Sequence, residues 1–227
     1  MLSILFKIIV NYLYVQIAIL AFMAPFFAAY WYFSGRHHSR SFSEHIERYF
    51  DSRYGNALVF AWAAAEAVVW FVIPEFLLLL VIFMRIHKKR QLLYFDIYGT
   101  AFGTLVAYAL HFTAKQLIGV PYITIKMVHQ VSIWYQQLGI FGLIHQPFSG
   151  VPYKVFTHLA PSHHYPFVFF LIFAVLVRIS RYLITYALFM QLYPFLHEYA
   201  YRNYVWLMGV TTFLFSALLL RVYWAYS

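Results

Sequence analysis

Residues 57–84 are ALVFAWAAAEAVVWFVIPEFLLLLVIFM, and the two acids in this apolar stretch, Glu66 and Glu75, decide the fold. A carboxylate at the centre of a bilayer costs about 2.5–3.5 kcal/mol on insertion scales, so it usually faces a cavity or a partner. On one straight helix, steps of about 100° per residue would point these two side chains to opposite faces. Because Pro74 directly precedes Glu75, we predict a break there that lets both acids face one interior.

The composition excludes a soluble fold around one core. Hydrophobic residues make up 64% of the chain, charged residues only 10%, and the mean hydropathy is +0.70. Each long apolar run approaches the length of about 20 residues that spans a bilayer as a helix. The runs cover residues 4–33, 57–84, 92–114, 132–160, 166–192 and 204–220. A β-barrel would need short alternating strands, so we predict an all-α polytopic membrane protein.

Basic residues flank the 57–84 segment on both sides. They are Arg36, Arg40, Arg48 and Arg53 before it, and Arg85, Lys88, Lys89 and Arg90 after it. Cytoplasmic loops are enriched in Lys and Arg, so both flanks are expected in the cytoplasm and the segment should enter and return as a re-entrant hairpin. The alternative is an ordinary kinked spanning helix. The same rule predicts an outward-facing amino terminus and an amphipathic helix over residues 42–54 at the cytoplasmic surface.

A stripe of small residues, Gly99, Gly103 and Ala107, follows at four-residue spacing. Such a stripe permits close contact between helices, so we predict that it packs against a neighbour. Asp96 and His111 bracket the stripe. We expect both near the membrane interface, with a role in proton movement as the alternative.

A second break is predicted over residues 138–160, where Pro147, Gly150 and Pro152 cannot all lie in one continuous helix. Lys154 follows this break, as Glu75 follows the first. Paired interrupted segments in two halves of a chain point to a transporter binding site near the membrane midplane. Alternatively, Lys154 extends to the interface and serves only as an anchor.

Arg178 and Arg181 lie three residues apart in an apolar helix and hence on one face. Two buried cations need anions, and Glu66 and Glu75 are available. One interpretation is a set of structural ion pairs. The other is that the guanidinium groups, with Lys154, bind a phosphate headgroup while the two carboxylates exchange protons.

Residues 55–190 resemble the DedA/VTT-domain superfamily, also called SNARE-associated Golgi protein-like, and most closely its YqaA-like branch. The resemblance rests on Glu66 followed by IPE, and on the segments GTAFGTLVAY, GVPYKVFT and RISRYLITYAL. It implies two oppositely inserted re-entrant hairpins and a multi-pass protein of the bacterial inner membrane. The implied function is transport of a polyprenyl phosphate or phospholipid, coupled to protons. Glu66 and Glu75 would then match the family's embedded acids, and Arg178 and Arg181 its arginine pair.

We divide the chain into an amino-terminal helix with the surface helix (residues 1–56), a core with both hairpins (57–200) and a carboxyl-terminal helix (201–227). No nucleophile elbow or Gly-rich phosphate loop indicates an enzyme. We expect no cofactor and no nucleic-acid partner, and leave a homo-oligomer open. A structural or assembly factor for the membrane is one rival. A haem or metal protein is another, because the chain has eleven histidines.

Overall fold

The structure, a computed structural model, describes residues 2–34, 42–84 and 86–226, and these ranges contain helices and no strand. Three of the basic flanking residues lie outside them: Arg36, Arg40 and Arg85. The α-helices are α1 (Leu2–Ser34), α2 (Phe42–Asp51), α3 (Arg53–Val68), α4 (Pro74–Ile82), α5 (Lys89–Leu110), α6 (Ala114–Ile118), α7 (Ile125–Leu138), α8 (Gln146–Ser149), α9 (Tyr153–Leu159), α10 (Phe167–Arg202) and α11 (Tyr204–Ala225).

The break predicted at Pro74 is confirmed. Helix α3 ends at Val68 and α4 begins at Pro74, which takes the first helical position, where a missing N–H costs nothing. Past α4 the chain returns to where α3 began, because the Asp51 carboxylate accepts the backbone N–H groups of His87 and Lys88 at 3.0 and 3.2 Å. Residues 53–88 therefore form a helix–break–helix unit that is closed at its base.

Helix α5 packs closely along α3, as the small-residue stripe predicts. Gly99 lies against the backbone of Phe60, and Gly103 lies against that of Ala64. A Cβ atom on Gly103 would stand 2.5 Å from the Ala64 carbonyl oxygen, so only glycine permits this approach. From the first contact to the second, the residue number rises by four on both helices, so α3 and α5 run in the same direction.

The second predicted break is also present. After α7 the chain forms a 3₁₀ segment over Gly139–His145 and the short helix α8, and then turns at Gly150, whose φ of +75° suits glycine. Pro152 follows, and α9 packs back against α7, where the Tyr135 hydroxyl donates to the Phe156 carbonyl at 3.0 Å. Residues 125–163 thus form a second helix–break–helix unit.

The two units have their bases at opposite ends of α5. The first closes beside Lys88, which immediately precedes α5. The second closes beside His111, which caps the other end of α5 and shares a 2.9 Å hydrogen bond with Ser162. With 22 residues at about 1.5 Å each, α5 separates these bases by about 33 Å.

Helices α10 and α11, with 36 and 22 residues, are the two in the described ranges that are long and apolar enough to cross a membrane. Only 22% and 17% of the residues in their most apolar windows are buried. Helix α10 runs antiparallel to α5. Its start packs against Tyr108, through Phe167 at 4.9 Å between ring centroids, and its later Tyr193 ring lies 3.8 Å from the Lys89 ammonium.

Candidate functional site

A cavity of about 420 Å³ lies where the two breaks meet. Both acids of the first unit, Glu66 and Glu75, reach its wall, as the predicted break allows. The remaining lining residues come from both breaks, α10 and α11. They are Phe71, Ile73, Gln146, Pro147, Gly150, Val151, Pro152, Tyr153, Arg181, Thr185, Phe215, Leu218, Leu219 and Val222.

Each acid pairs with a different arginine of α10. Arg178 Nη2 donates to Glu66 Oε2 at 2.6 Å, and Arg181 Nε donates to Glu75 Oε1 at 2.5 Å. The first pair is almost completely buried, with side chains 1% and 3% exposed, and only its Glu66 reaches the cavity wall. The Arg181 side chain is 19% exposed and lines the cavity. The Arg178 guanidinium group therefore lies buried behind the cavity wall, whereas that of Arg181 forms part of the wall.

Aromatic and hydroxyl groups hold the Arg178 guanidinium in place. Its Nε donates to the Tyr182 hydroxyl at 2.9 Å, and that hydroxyl shares a 3.1 Å hydrogen bond with Thr100 of α5. The guanidinium carbon also lies 4.9 Å from the centroid of the Tyr153 ring, which adds a cation–π contact. Arg178 thus joins α3, α5, α9 and α10.

Lys154 caps the end of α3. Its fully buried Nζ donates to the carbonyl of Val69 at 2.7 Å and to that of Trp70 at 3.4 Å. Thr157 Oγ1 donates to the Ala67 carbonyl at 3.2 Å, and His158 Nε2 lies 3.0 Å from the next carbonyl oxygen. Terminal helix carbonyls lack internal partners and carry partial negative charge, which accounts for a buried cation there. Lys154 lies beside the cavity but is not among its lining residues.

The sequence of α9 carries a signal for this set of capping side chains. Lys154, Thr157 and His158 stand at positions i, i+3 and i+4, so they share one face of α9. Polar residues on one face of a short buried helix indicate a polar partner. The partner itself, the end of a helix some 85 residues earlier, is visible only in the fold.

Several buried polar atoms have no hydrogen-bond partner among the described residues. Two of them stand on the cavity wall, Glu75 Oε2 and Gln146 Oε1. Sequence reasoning missed Gln146, which directly precedes Pro147 in the second break. The Asp96 side chain is fully buried in the protein, and the charged groups that act on it lie on α3, α4 and α10; its position relative to the membrane interface stays a prediction. His111, at the end of the same helix, is exposed.

Within the described ranges, no group of three His, Asp or Glu side chains could hold a metal ion. No family model matches the chain, and neither the curated proteins nor the solved structures contain a match. The fold and site define an all-helical protein with a charged cavity between two interrupted helical units.

Proposed function

We propose that this chain is a multi-pass membrane transporter of the DedA type that moves a phosphate-bearing lipid, such as a polyprenyl phosphate or a phospholipid. The observation that carries the proposal is the Arg181–Glu75 pair, which stands on a cavity wall where two interrupted units meet. Interrupted helices around a buried charged site are typical of secondary transporters.

The distribution of polar and apolar side chains supports a membrane location. Along α10, apolar side chains such as Phe169 and Ile172 are 71% and 56% exposed, while Arg178 is fully buried. A soluble protein buries its apolar residues and exposes its charges. The reversed arrangement suits a helix whose outer face contacts lipid.

The positions of the two bases support re-entrant hairpins inserted from opposite sides. The hydrocarbon core of a bilayer is about 30 Å thick, close to the length of α5 between the bases. Non-helical backbone at that depth is tolerated against a cavity or other protein, which is where both breaks lie. Exposed basic residues at the first base, Arg48, Lys88 and Arg90, support a cytoplasmic position for that end. We further propose the bacterial inner membrane as the location.

The geometry suits exchange of one anion for another at Arg181. A guanidinium fork binds phosphate oxygens through two parallel hydrogen bonds. A lipid phosphate carrying one negative charge would displace the Glu75 carboxylate, which would then take up one proton. The net charge of the Arg181, Glu75 and phosphate group is zero after this step, so entry of the anion is coupled to a proton.

The lipid tail has a separate path. Helix α11 lines the cavity with Phe215, Leu218 and Leu219, and Leu218 is 58% exposed. This wall therefore joins the cavity to the apolar outer surface. A lipid could place its headgroup at Arg181 while its chains remain in the bilayer.

A structural or assembly role is the second candidate, and the Arg178–Glu66 pair favours it. Both side chains are almost completely buried and are linked to several helices. Replacing one partner of such a pair usually destabilises a protein strongly. If both pairs serve only this purpose, the cavity has no transport role.

The test is lipid translocation in proteoliposomes with a fluorescent phospholipid and a polyprenyl phosphate, with and without a pH gradient. Wild type is compared with Arg181→Gln and with Lys115→Gln, which removes an exposed cation that does not line the cavity. We expect loss of translocation only in folded Arg181→Gln. Equal translocation by both variants, or none by wild type, would favour the structural role.

A further inference from the structure

Asp96 is a buried acid that the ion pairs leave unused. It lies seven residues into α5, its side chain has no exposed surface, and both carboxylate oxygens lack a hydrogen-bond partner among the described residues. A carboxylate buried in this way loses its hydration and gains no hydrogen bond in return. The neutral, protonated acid therefore fits this environment better than the anion.

The groups around Asp96 belong to the ion-pair cluster. The charges that act on it come from α3, α4 and α10: Glu66, Glu75, Arg178 and Arg181. On its own helix, Thr100 lies one turn further along and bonds to Tyr182, which accepts from Arg178. These two hydrogen bonds link α5 to Arg178 one helical turn from Asp96, whose own carboxylate oxygens take no part in them.

The Arg178 guanidinium group keeps one hydrogen-bond donor that neither Glu66 nor Tyr182 uses. Its Nη2 and Nε are bonded to Glu66 and Tyr182, whereas Nη1 is buried without a partner in the described part of the chain. A guanidinium group has five N–H donors and a fixed shape, so it can serve two carboxylates in turn. A buried donor and a buried acid, both unsatisfied, occupy the same cluster.

We propose that Asp96 is a second, proton-exchanging counter-ion of Arg178. While Glu66 is ionised and bonded to Arg178, Asp96 holds a proton. When Glu66 becomes neutral, one proton leaves the Asp96 carboxyl and one is gained by the Glu66 carboxylate, and Asp96 takes over the pairing. Arg178 stays positive throughout, and the three side chains carry a net charge of zero in both states. The cluster can thus change its proton acceptor without a net buried charge.

Infrared spectroscopy of the purified full-length protein tests this directly, since a protonated carboxyl group has its own C=O stretch. The chain has only seven Asp and Glu side chains, which makes assignment tractable. Spectra at neutral pH are compared for wild type, Asp96→Asn, Glu66→Gln and the matched control Asp51→Asn, which changes an acid outside the cluster. Thermal unfolding is recorded for each variant.

We expect a protonated-carboxyl band in wild type and in Asp51→Asn that is lost in Asp96→Asn. The same band should be lost in Glu66→Gln, because Asp96 must ionise to pair with Arg178. Retention of the band in Asp96→Asn would refute the protonated acid, and retention in Glu66→Gln would refute the exchange. If Glu66→Gln does not fold, the smaller neutral variant Glu66→Ala replaces it, and retention of the band there would refute the exchange.

The use of this exchange in transport rests on the proposed function, but the spectra do not. A protein that moves no lipid yet shows the band changes would lose the transport proposal and keep this one. A protein that moves lipid but shows no band from Asp96 would keep the transport proposal and lose this one.

Discussion

The close approach of α3 and α5 can be tested by adding one methyl group at Gly103. A Cβ atom there would lie 2.5 Å from the Ala64 carbonyl oxygen and 2.8 Å from the Ala67 Cβ, where ordinary contacts begin at 3.4 Å. The helices would have to separate by about 0.9 Å, the difference between 3.4 and 2.5 Å. Such overpacking against backbone typically costs about 1–3 kcal/mol.

The displaced residues flank Glu66, so Gly103→Ala should also loosen its pairing with Arg178. The matched control is Gly209→Ala on α11, where an added Cβ meets nothing within 4 Å. Because alanine is favoured over glycine in helices by about 1 kcal/mol, the control should be neutral or slightly stabilised.

The assay is reversible unfolding in mixed micelles, followed by tryptophan fluorescence, since the buried Trp62 of α3 changes its environment when the protein unfolds. We expect Gly103→Ala to unfold at a lower denaturant fraction than wild type and Gly209→Ala to match or exceed wild type. If the two alanine variants are equally stable, α3 and α5 do not approach as closely as described, and the placement of Glu66 on the cavity is wrong.

Three further perturbations test the site and the architecture. Arg178→Gln should lower the free energy of unfolding by about 3–5 kcal/mol. Arg181→Gln should lower it less, because the Arg178 side chain is 1% exposed and the Arg181 side chain is 19% exposed. Equal losses of stability in the two variants would contradict this reasoning from burial. Trp62→Phe removes a 2.9 Å hydrogen bond to a carbonyl in the first break and should cost about 1–3 kcal/mol in the same unfolding assay. The chain has no cysteine, so Lys88→Cys and Lys115→Cys can each be labelled with an impermeant reagent in sealed vesicles. We expect the two cysteines to be labelled from opposite sides of the membrane. Labelling of both from the same side would contradict the proposal that the bases of the two units lie on opposite sides.

The breaks were predictable because they depend on local chemistry. Proline removes a backbone hydrogen bond and so kinks or breaks a helix, and an acid in an apolar run needs an interior partner. Pro74 and Glu75 together therefore locate the first break. The contact of Gly99 and Gly103 with a neighbouring helix was predictable for a similar reason, since small residues at four-residue spacing permit it. That the neighbour is α3 could not be predicted, because many helices could approach such a stripe.

The pairing of charges was beyond sequence reasoning. Arg178 and Glu66 are 112 residues apart, and Arg181 and Glu75 are 106 apart. The three-residue spacing places both arginines on one face of α10. Which acid pairs with which arginine depends on how far α3 and α4 are shifted along their axes relative to α10. The same holds for Lys154, whose partners are backbone carbonyls and therefore leave no mark in the sequence.

The charge around the cavity links the two proposals. Three cations, Arg178, Arg181 and Lys154, face three acids, Glu66, Glu75 and Asp96, but Lys154 is bonded to helix carbonyls instead of a carboxylate. While Asp96 is protonated, the set carries a net charge of +1, partly offset by the end of α3. An interior with this charge attracts one anion, such as a lipid phosphate. In the proposed exchange Glu66 gains a proton when Asp96 loses one, so the net charge of +1 is the same in both states. The attraction for one anion would therefore persist while the ionised acid beside Arg178 changes.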